Sequence, residues 1–332
     1  MMDTDLDSFS FDDKQTKQLL KKAKLMSTLR TIAIVVVVTP IIMILLWYGF
    51  RQWSHYHAQK TMNEIVAFNE ISGPNVHISN QTYNSNWFGG EIETKTYKLI
   101  GKRPYIWEPV ERKYNLFGSS SRKYGSFGPI SVNKSESLAE SSQFYRFNSY
   151  TGDRELFFYH PEIPYATYKN SVNELNKLEK ATLVELGLSF DQAYSLEEIK
   201  SKLPPSVQVV WWWVDAYTDE NLAFMKQGQQ TVHAESVFVY GFHSEQFEPF
   251  GGMDSFISSI ELLRKNSKSF KWDAEQAYES LIGDNKTLEK SDIKIIGAIV
   301  TGTAEQLNVL QGSPYIKAST FGVITNQQDS LD

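Results

Sequence analysis

Twenty consecutive uncharged residues, Thr31 to Phe50 (TIAIVVVVTPIIMILLWYGF), constrain this chain more than any other feature. At ~1.5 Å per residue, a helix of that length covers the ~30 Å hydrocarbon core of a bilayer. The run therefore reads as a membrane span. A cleaved signal peptide would have a shorter apolar core ending in small residues, whereas Trp47, Tyr48, Phe50, Arg51 and Trp53 stand at this end. Pro40 frees a backbone carbonyl inside the run and is expected to kink the helix, which membrane helices accommodate by local adjustment. Six cations precede the span, Lys14, Lys17, Lys21, Lys22, Lys24 and Arg30, against Arg51 and Lys60 in the comparable stretch after it. By the positive-inside rule the amino terminus is cytoplasmic and the rest of the chain is extracellular, with Trp47, Tyr48 and Trp53 as aromatic anchors at the outer interface.

Charge and composition separate the two sides. Residues 1–30 set Asp3, Asp5, Asp7, Asp12 and Asp13 against those six cations, a sum of +1, so a chain of net charge −6 carries −7 from Arg51 onward. Aromatic residues make up 14% of the sequence, which points to a packed globular region and not a disordered stalk. No cysteine is present, and this removes disulfide frameworks, thiol catalysis and thiolate zinc sites.

Periodicity organises the rest. Asp12 to Arg30 has helical spacing, with Lys14, Lys17, Lys21 and Lys24 on one face and Leu19, Leu20, Ala23 and Met26 opposite. Nothing breaks the pattern until Gly73-Pro74, so one long helix is expected to run through the membrane to about Phe68. The period then changes to two. Ile92, Thr94, Thr96 and Lys98 alternate with Glu93, Lys95, Tyr97 and Leu99, and Gly89-Gly90 just before them is expected to be a hairpin turn. Farther on, strands are predicted at 181–190, 207–216, 236–243, 294–301 and 318–325. Ser195 with Glu198 and Thr303 with Gln306 have capping-box spacing, and Asp254 and Asp273 read as helix N-caps. The expected division is a cytoplasmic tail and basic helix (1–30), a transmembrane helix (31–50), a juxtamembrane helix (51–72), a β-rich region (73–160) and an α+β sensor-like domain (161–332). The fold class is α+β, with a mixed β-sheet and helices on one of its faces.

A search for chemistry returns little. No two of His55, His57, His77, His160, His233 and His243 have the spacing of a zinc-binding helix. Asp153, Glu155, His160 and Glu162 fall within ten residues but match no known hard-cation loop, and a solvated turn shaped by Pro161 and Pro164 is the better account. Gly297 to Thr303 (GAIVTGT) has phosphate-loop glycine spacing with Thr303 where the phosphate-binding lysine must stand, so a capped helix explains it better. No G-x-S-x-G is present. The chain reads as a non-enzyme without metal or cofactor.

Two segments are candidates for binding. Trp211, Trp212 and Trp213 lie in a predicted strand, where alternate side chains face opposite ways, so they cannot all line one surface. Core packing is the first reading and a ligand-contacting aromatic platform the second. The other segment is DTDLDSFSFDD, which sets Phe9, Phe11, Asp12 and Asp13 ahead of the basic helix. Such a tail suits a basic partner surface, or it is simply solvated while the lysines touch anionic headgroups.

The order KQTKQLLKKAKLMSTLRT, apolar span, FNEISGPNV (68–76) resembles the amino-terminal region of the bacterial sigma factor regulator family, which are membrane-bound anti-sigma factors. VVWWWVDAYT (209–218), VYGFH (239–243) and AIVTGTAEQL (298–307) resemble its carboxy-terminal region. The resemblance implies a regulator of transcription in envelope stress. Its cytoplasmic end would hold an extracytoplasmic-function sigma factor away from RNA polymerase, without touching nucleic acid itself. On that account Phe9 and Phe11 are apolar anchors, Asp12 and Asp13 meet basic side chains of the sigma factor, and Lys14, Lys17, Lys21 and Lys24 face acidic ones or lipid. Thirty residues is little surface for tight capture, so a second membrane protein is expected to share the task. Two other classes stay open: an outer module that binds cell-wall material or a protein, with the tail only an anchor, and an envelope enzyme built on the Asp153 to Glu162 cluster.

Overall fold

A computed structural model describes residues 13–86, 88–118, 120–122, 130–133, 144–227, 234–235, 239–246, 251–283 and 285–326. The chain divides into two compact units, residues 1–55 and 56–332. Helix α1 (Asp13–Ser72) contains the apolar run and Pro40. Among the described residues it is the one helix long and apolar enough to cross a membrane, as single-pass anchoring requires. Within the first unit its apolar side chains are exposed on every side, which is the pattern of a helix solvated by lipid. At the end of the run the Arg51 guanidinium lies 5.5 Å from the Trp47 ring centroid.

In the second unit the helix acquires a packed face. Ala58, Met62 and Ile65, spaced three and four apart, meet Ile78, Ile92 and Tyr114. Ala67 and Ile71 then enter the main core, and the helix ends at Ser72.

Next come β1 (His77–Asn86), β2 (Gly89–Ile100), β3 (Arg103–Asn115) and β4 (Ser120–Arg122), a four-stranded antiparallel sheet in sequence order. The expected alternation in β2 is observed: Ile92, Thr94, Thr96 and Lys98 are buried. Gly89 and Gly90 do not form the turn. They open β2, where a side chain would strike the carbonyls of Tyr114 and Asn84, so close backbone approach is what selects glycine there. Strands β5 (Ile130–Asn133) and β6 (Phe144–Phe147) form a separate pair.

Strands β7 (Phe157–Phe158), β8 (Leu183–Tyr194), β9 (Gln208–Val214), β10 (Ala234–Glu235), β11 (Gly241–His243), β12 (Ile295–Thr303) and β13 (Ile316–Thr325) complete the set. Five of them make the central sheet in the order β11, β9, β12, β8, β13, and β10 pairs with β7. Every one of these pairings is antiparallel, where a mixed sheet was expected. Spatial interleaving accounts for the difference: β8 inserts between β12 and β13, so strands joined through helical connections are not neighbours. The α+β class stands.

Helices α2 (Leu196–Lys202), α4 (Met253–Asn266), α5 (Lys271–Ile282) and α6 (Ala304–Leu307) cover one face of the sheet together with the end of α1. Helix α3 (Asp219–Gln227) is the exception. Its Leu222 and Met225 join Tyr159, Ile163 and Tyr165 in another cluster. Both predicted capping boxes form, at Ser195 with Glu198 and at Thr303 with Gln306. Asp254 and Asp273 are not N-caps. Each sits inside its helix's first turn, where a carboxylate still complements the helix dipole.

Candidate partner-binding site

Lys14, Lys17, Lys21 and Lys24 recur on α1 at intervals of three and four, which places them on one side of the helix, and all four are exposed. The threonine hydroxyls of Thr28 and Thr31 bond back to the carbonyls of Lys24 and Ser27, so this stretch is helical up to and into the apolar run. Phe9, Phe11 and Asp12 lie outside the described residues. Asp13 opens α1, and its side chain lies outside them too. The structure thus presents the lysine row, and the acidic and aromatic residues ahead of it rest on the sequence.

The three tryptophans are core. Trp211 and Trp213 are fully buried with Phe158, Val210 and Ile299 on one face of the sheet, and Trp212 is buried with the helices on the other. The indoles of Trp211 and Trp213 fit because Trp213's cross-strand neighbours are glycines: a side chain at Gly241 on β11 would collide with the Trp212 carbonyl and the Trp211 indole, and one at Gly297 on β12 with the Leu188 carbonyl and the Trp213 indole. The segments quoted for the carboxy-terminal resemblance are therefore three adjacent strands, β11, β9 and β12, and what they share is packing. An exposed platform at Trp211, Trp212 and Trp213 has no surface to stand on.

The acidic cluster disperses. Asp153 accepts from the Tyr105 hydroxyl at 2.9 Å, Glu155 accepts from Asn148 at 3.2 Å, and Glu162 pairs with Lys226 at 3.5 Å on the surface. His160 is buried, with Nε2 3.1 Å from Asp215 Oδ1, while its Nδ1 accepts the Glu162 amide at 3.2 Å. That network makes Nε2 the protonated nitrogen and occupies the lone pair of Nδ1, so the imidazole has no free lone pair with which to act as a general base. The backbone amide of His160 donates to the Tyr165 hydroxyl at 3.0 Å. Burial pushes the Tyr159 and Tyr165 phenols up to about 12, and the Tyr159 oxygen, like that of Tyr165, accepts a backbone amide, from Lys169 at 3.1 Å.

Two buried charged groups tie α1 and the segment after it to the rest of residues 56–332. Glu185, in β8, accepts from both Lys98 Nζ (3.0 and 3.1 Å), from Asn75 Nδ2 (2.8 Å) and from the Val323 amide (3.2 Å). Lys98 also lies 4.0 Å from the Trp107 ring centroid. Asn75, three residues past α1, holds a left-handed backbone (φ 54°), and its side chain bridges Leu99 and Glu185. About two turns before the end of α1, Glu64 accepts from the Ser267 hydroxyl at 2.9 Å. Burial raises its carboxyl above the usual range, against the opposing pull of Ser267, Lys60 and Arg112. Neither group was singled out from sequence. A signal existed in β2, where Lys98 occupies the same face as Ile92, Thr94 and Thr96: a cation on a buried face requires a buried partner.

Comparison with known proteins agrees with this architecture. Residues 17–105 match the family described as sigma factor regulator N-terminal, and residues 175–323 match sigma factor regulator C-terminal. The first match runs from the basic helix through the apolar run into β3, and the second spans the central sheet. A curated relative, the probable anti-sigma-M factor YhdL of Bacillus subtilis (strain 168), is 22% identical over 336 residues, covering 97% of this chain and 86% of its own. No solved structure matches. The second membrane protein expected from the small size of the cytoplasmic segment finds no support in these similarities. With both of its regions matched and a membrane-length helix between the basic segment and a packed second unit, the chain belongs to the sigma factor regulator family.

Proposed function

We propose that this protein is a membrane-anchored anti-sigma factor whose cytoplasmic amino terminus captures an extracytoplasmic-function sigma factor and whose outer unit, residues 56–332, senses the state of the envelope. The observation that carries the reading is the family match on both sides of a single membrane-length helix. The excess of Lys and Arg before the apolar run supports an amino terminus inside the cell and an outer unit outside it. Sequestration needs no chemistry. A sigma factor bound at the membrane is withdrawn from RNA polymerase by mass action, in proportion to one plus the ratio of free regulator to its dissociation constant. Phe9 and Phe11 serve as apolar anchors, Asp12 and Asp13 pair with basic side chains of the sigma factor, and Lys14, Lys17, Lys21 and Lys24 meet its acidic surface or the headgroups.

The test is co-purification of the full-length protein from detergent-solubilised membranes of its host. A sigma factor recovered with the natural sequence and lost when Phe9, Phe11, Asp12 and Asp13 are all changed to alanine supports capture through this segment. Recovery of no sigma factor, together with unchanged sigma-dependent transcription when the gene is deleted, would sink the reading and leave an anchored outer binding module.

A further inference from the structure

Two turns of the first sheet meet beside the outermost residues of the outer unit's helix. The β1–β2 turn and the β3–β4 turn are joined by a hydrogen bond from the Leu116 amide to the Phe88 carbonyl, 3.1 Å. Both are built by the same device. Asn86 Oδ1 accepts the Phe88 amide and Asn115 Oδ1 accepts the Phe117 amide, each at 2.9 Å. With its backbone held in this way, each phenylalanine is turned outward, Phe88 82% and Phe117 85% exposed. No other large apolar side chain described in residues 56–332 is more exposed. Soluble surfaces rarely set two rigidly held phenylalanines side by side in water, so the pair marks a contact surface.

Its position identifies the contact. Gly118, next to Phe117, lies against His57, where an added Cβ would sit 3.0 Å from the imidazole Cε1. The Lys268 ammonium reaches the Phe117 carbonyl at 3.4 Å, and both Lys268 and Lys60 act on His57 electrostatically. His57 follows the end of the apolar run, Phe50, by seven residues. As helix that is about 10 Å, and even fully stretched it is at most ~25 Å. Chain length alone therefore keeps the paired turns within reach of the headgroup layer, which is where phenyl and indole rings flanked by ammonium groups are most at home.

We infer that Phe88 and Phe117, with Lys268 beside them, form a lipid-contact tip that seats the outer unit on the outer leaflet. The rings occupy the interfacial layer and the ammonium group faces lipid phosphate. The inference rests on α1 spanning the membrane. It adds a second attachment to the bilayer, one that can be made or broken without moving the span.

The natural sequence has no cysteine, so a single introduced one is a unique attachment point for a fluorophore. Full-length protein carrying one label at Leu45→Cys, Phe88→Cys, Phe117→Cys or Val309→Cys is reconstituted at one copy per nanodisc, with a quencher attached to the lipid just below its headgroup. The expected result is quenching at 45, 88 and 117 and none at 309. A further variant, Phe117→Asp with the label at 88, should lose its quenching while its thermal unfolding midpoint stays unchanged. Quenching at 45 without quenching at 88 and 117 overturns the tip and leaves the span intact. Absence of quenching at 45 overturns the span itself. Labels at 88 and 117 that are shielded from aqueous iodide but not quenched by lipid would assign the tip to a protein partner and also overturn the inference.

Discussion

Fully removed from solvent, the Glu185 carboxylate accepts from Asn75, Lys98 and the Val323 amide together. A buried pair of this kind is costly to break from one side, because the remaining charge keeps its desolvation penalty and loses its partner. Lys98→Met should therefore destabilise the outer unit by about 3–5 kcal/mol, whereas Lys98→Met combined with Glu185→Leu should cost less than the sum of the two single changes. Urea unfolding of the four proteins of that cycle measures the difference. Glu64 supplies a second residue-scale test through its raised carboxyl. A raised acid binds more protons folded than unfolded, so stability falls as pH rises from about 4.5 through the folded value and then levels off. Glu64→Gln should flatten that decline. Glu155, which burial also raises, should leave a residual slope, so the expected outcome is a reduced pH dependence in the thermal midpoint between acid and neutral pH.

Short local signals fixed the elements best. Ser195 and Glu198 form the capping box that their spacing predicts, with the Ser195 amide donating to Glu198 at 2.8 Å, and Ser195→Ala should cost about 1 kcal/mol by urea unfolding. The alternation in β2, the strand at 208–214 and the helix ending at Gly283 were readable for the same reason: each depends on neighbours a few residues away. What was not readable depends on distant ones. Nothing near Asp254 or Asp273 announces that a helix begins before it. At α5 the decisive contact is Ser267, whose hydroxyl accepts the amides of Ser269 and Phe270 while donating to Glu64 on another helix. The antiparallel order of the central sheet follows from β8 lying between β12 and β13, a long-range pairing that periodicity cannot reveal. Of the candidate site, the lysine row was legible as helical spacing. Of the two readings of the tryptophans, core packing is the one observed, and what permits it was not legible: two glycines far apart in sequence, Gly241 and Gly297, make room for Trp211 and Trp213.

At the scale of the whole molecule, a short basic segment and a large packed unit, residues 56–332, share one helix, so the two ends should be separable by deletion. Removing residues 2–24 should leave thermal unfolding of residues 56–332 unchanged while releasing sigma-dependent transcription to the level of a gene deletion, measured with a promoter reporter. The join between α1 and the sheets sets how a force on the sheets is passed to the helix. After Ser72 only four residues precede β1, and they are pinned: the Val76 amide bonds the Gly73 carbonyl, Asn69 bonds the Val76 carbonyl, Ser72 bonds the Val239 carbonyl and Asn75 bonds Glu185. A coupling built like this has no backlash. A twist or tug on the sheets that follow is delivered to the end of the helix without first taking up slack in a loop.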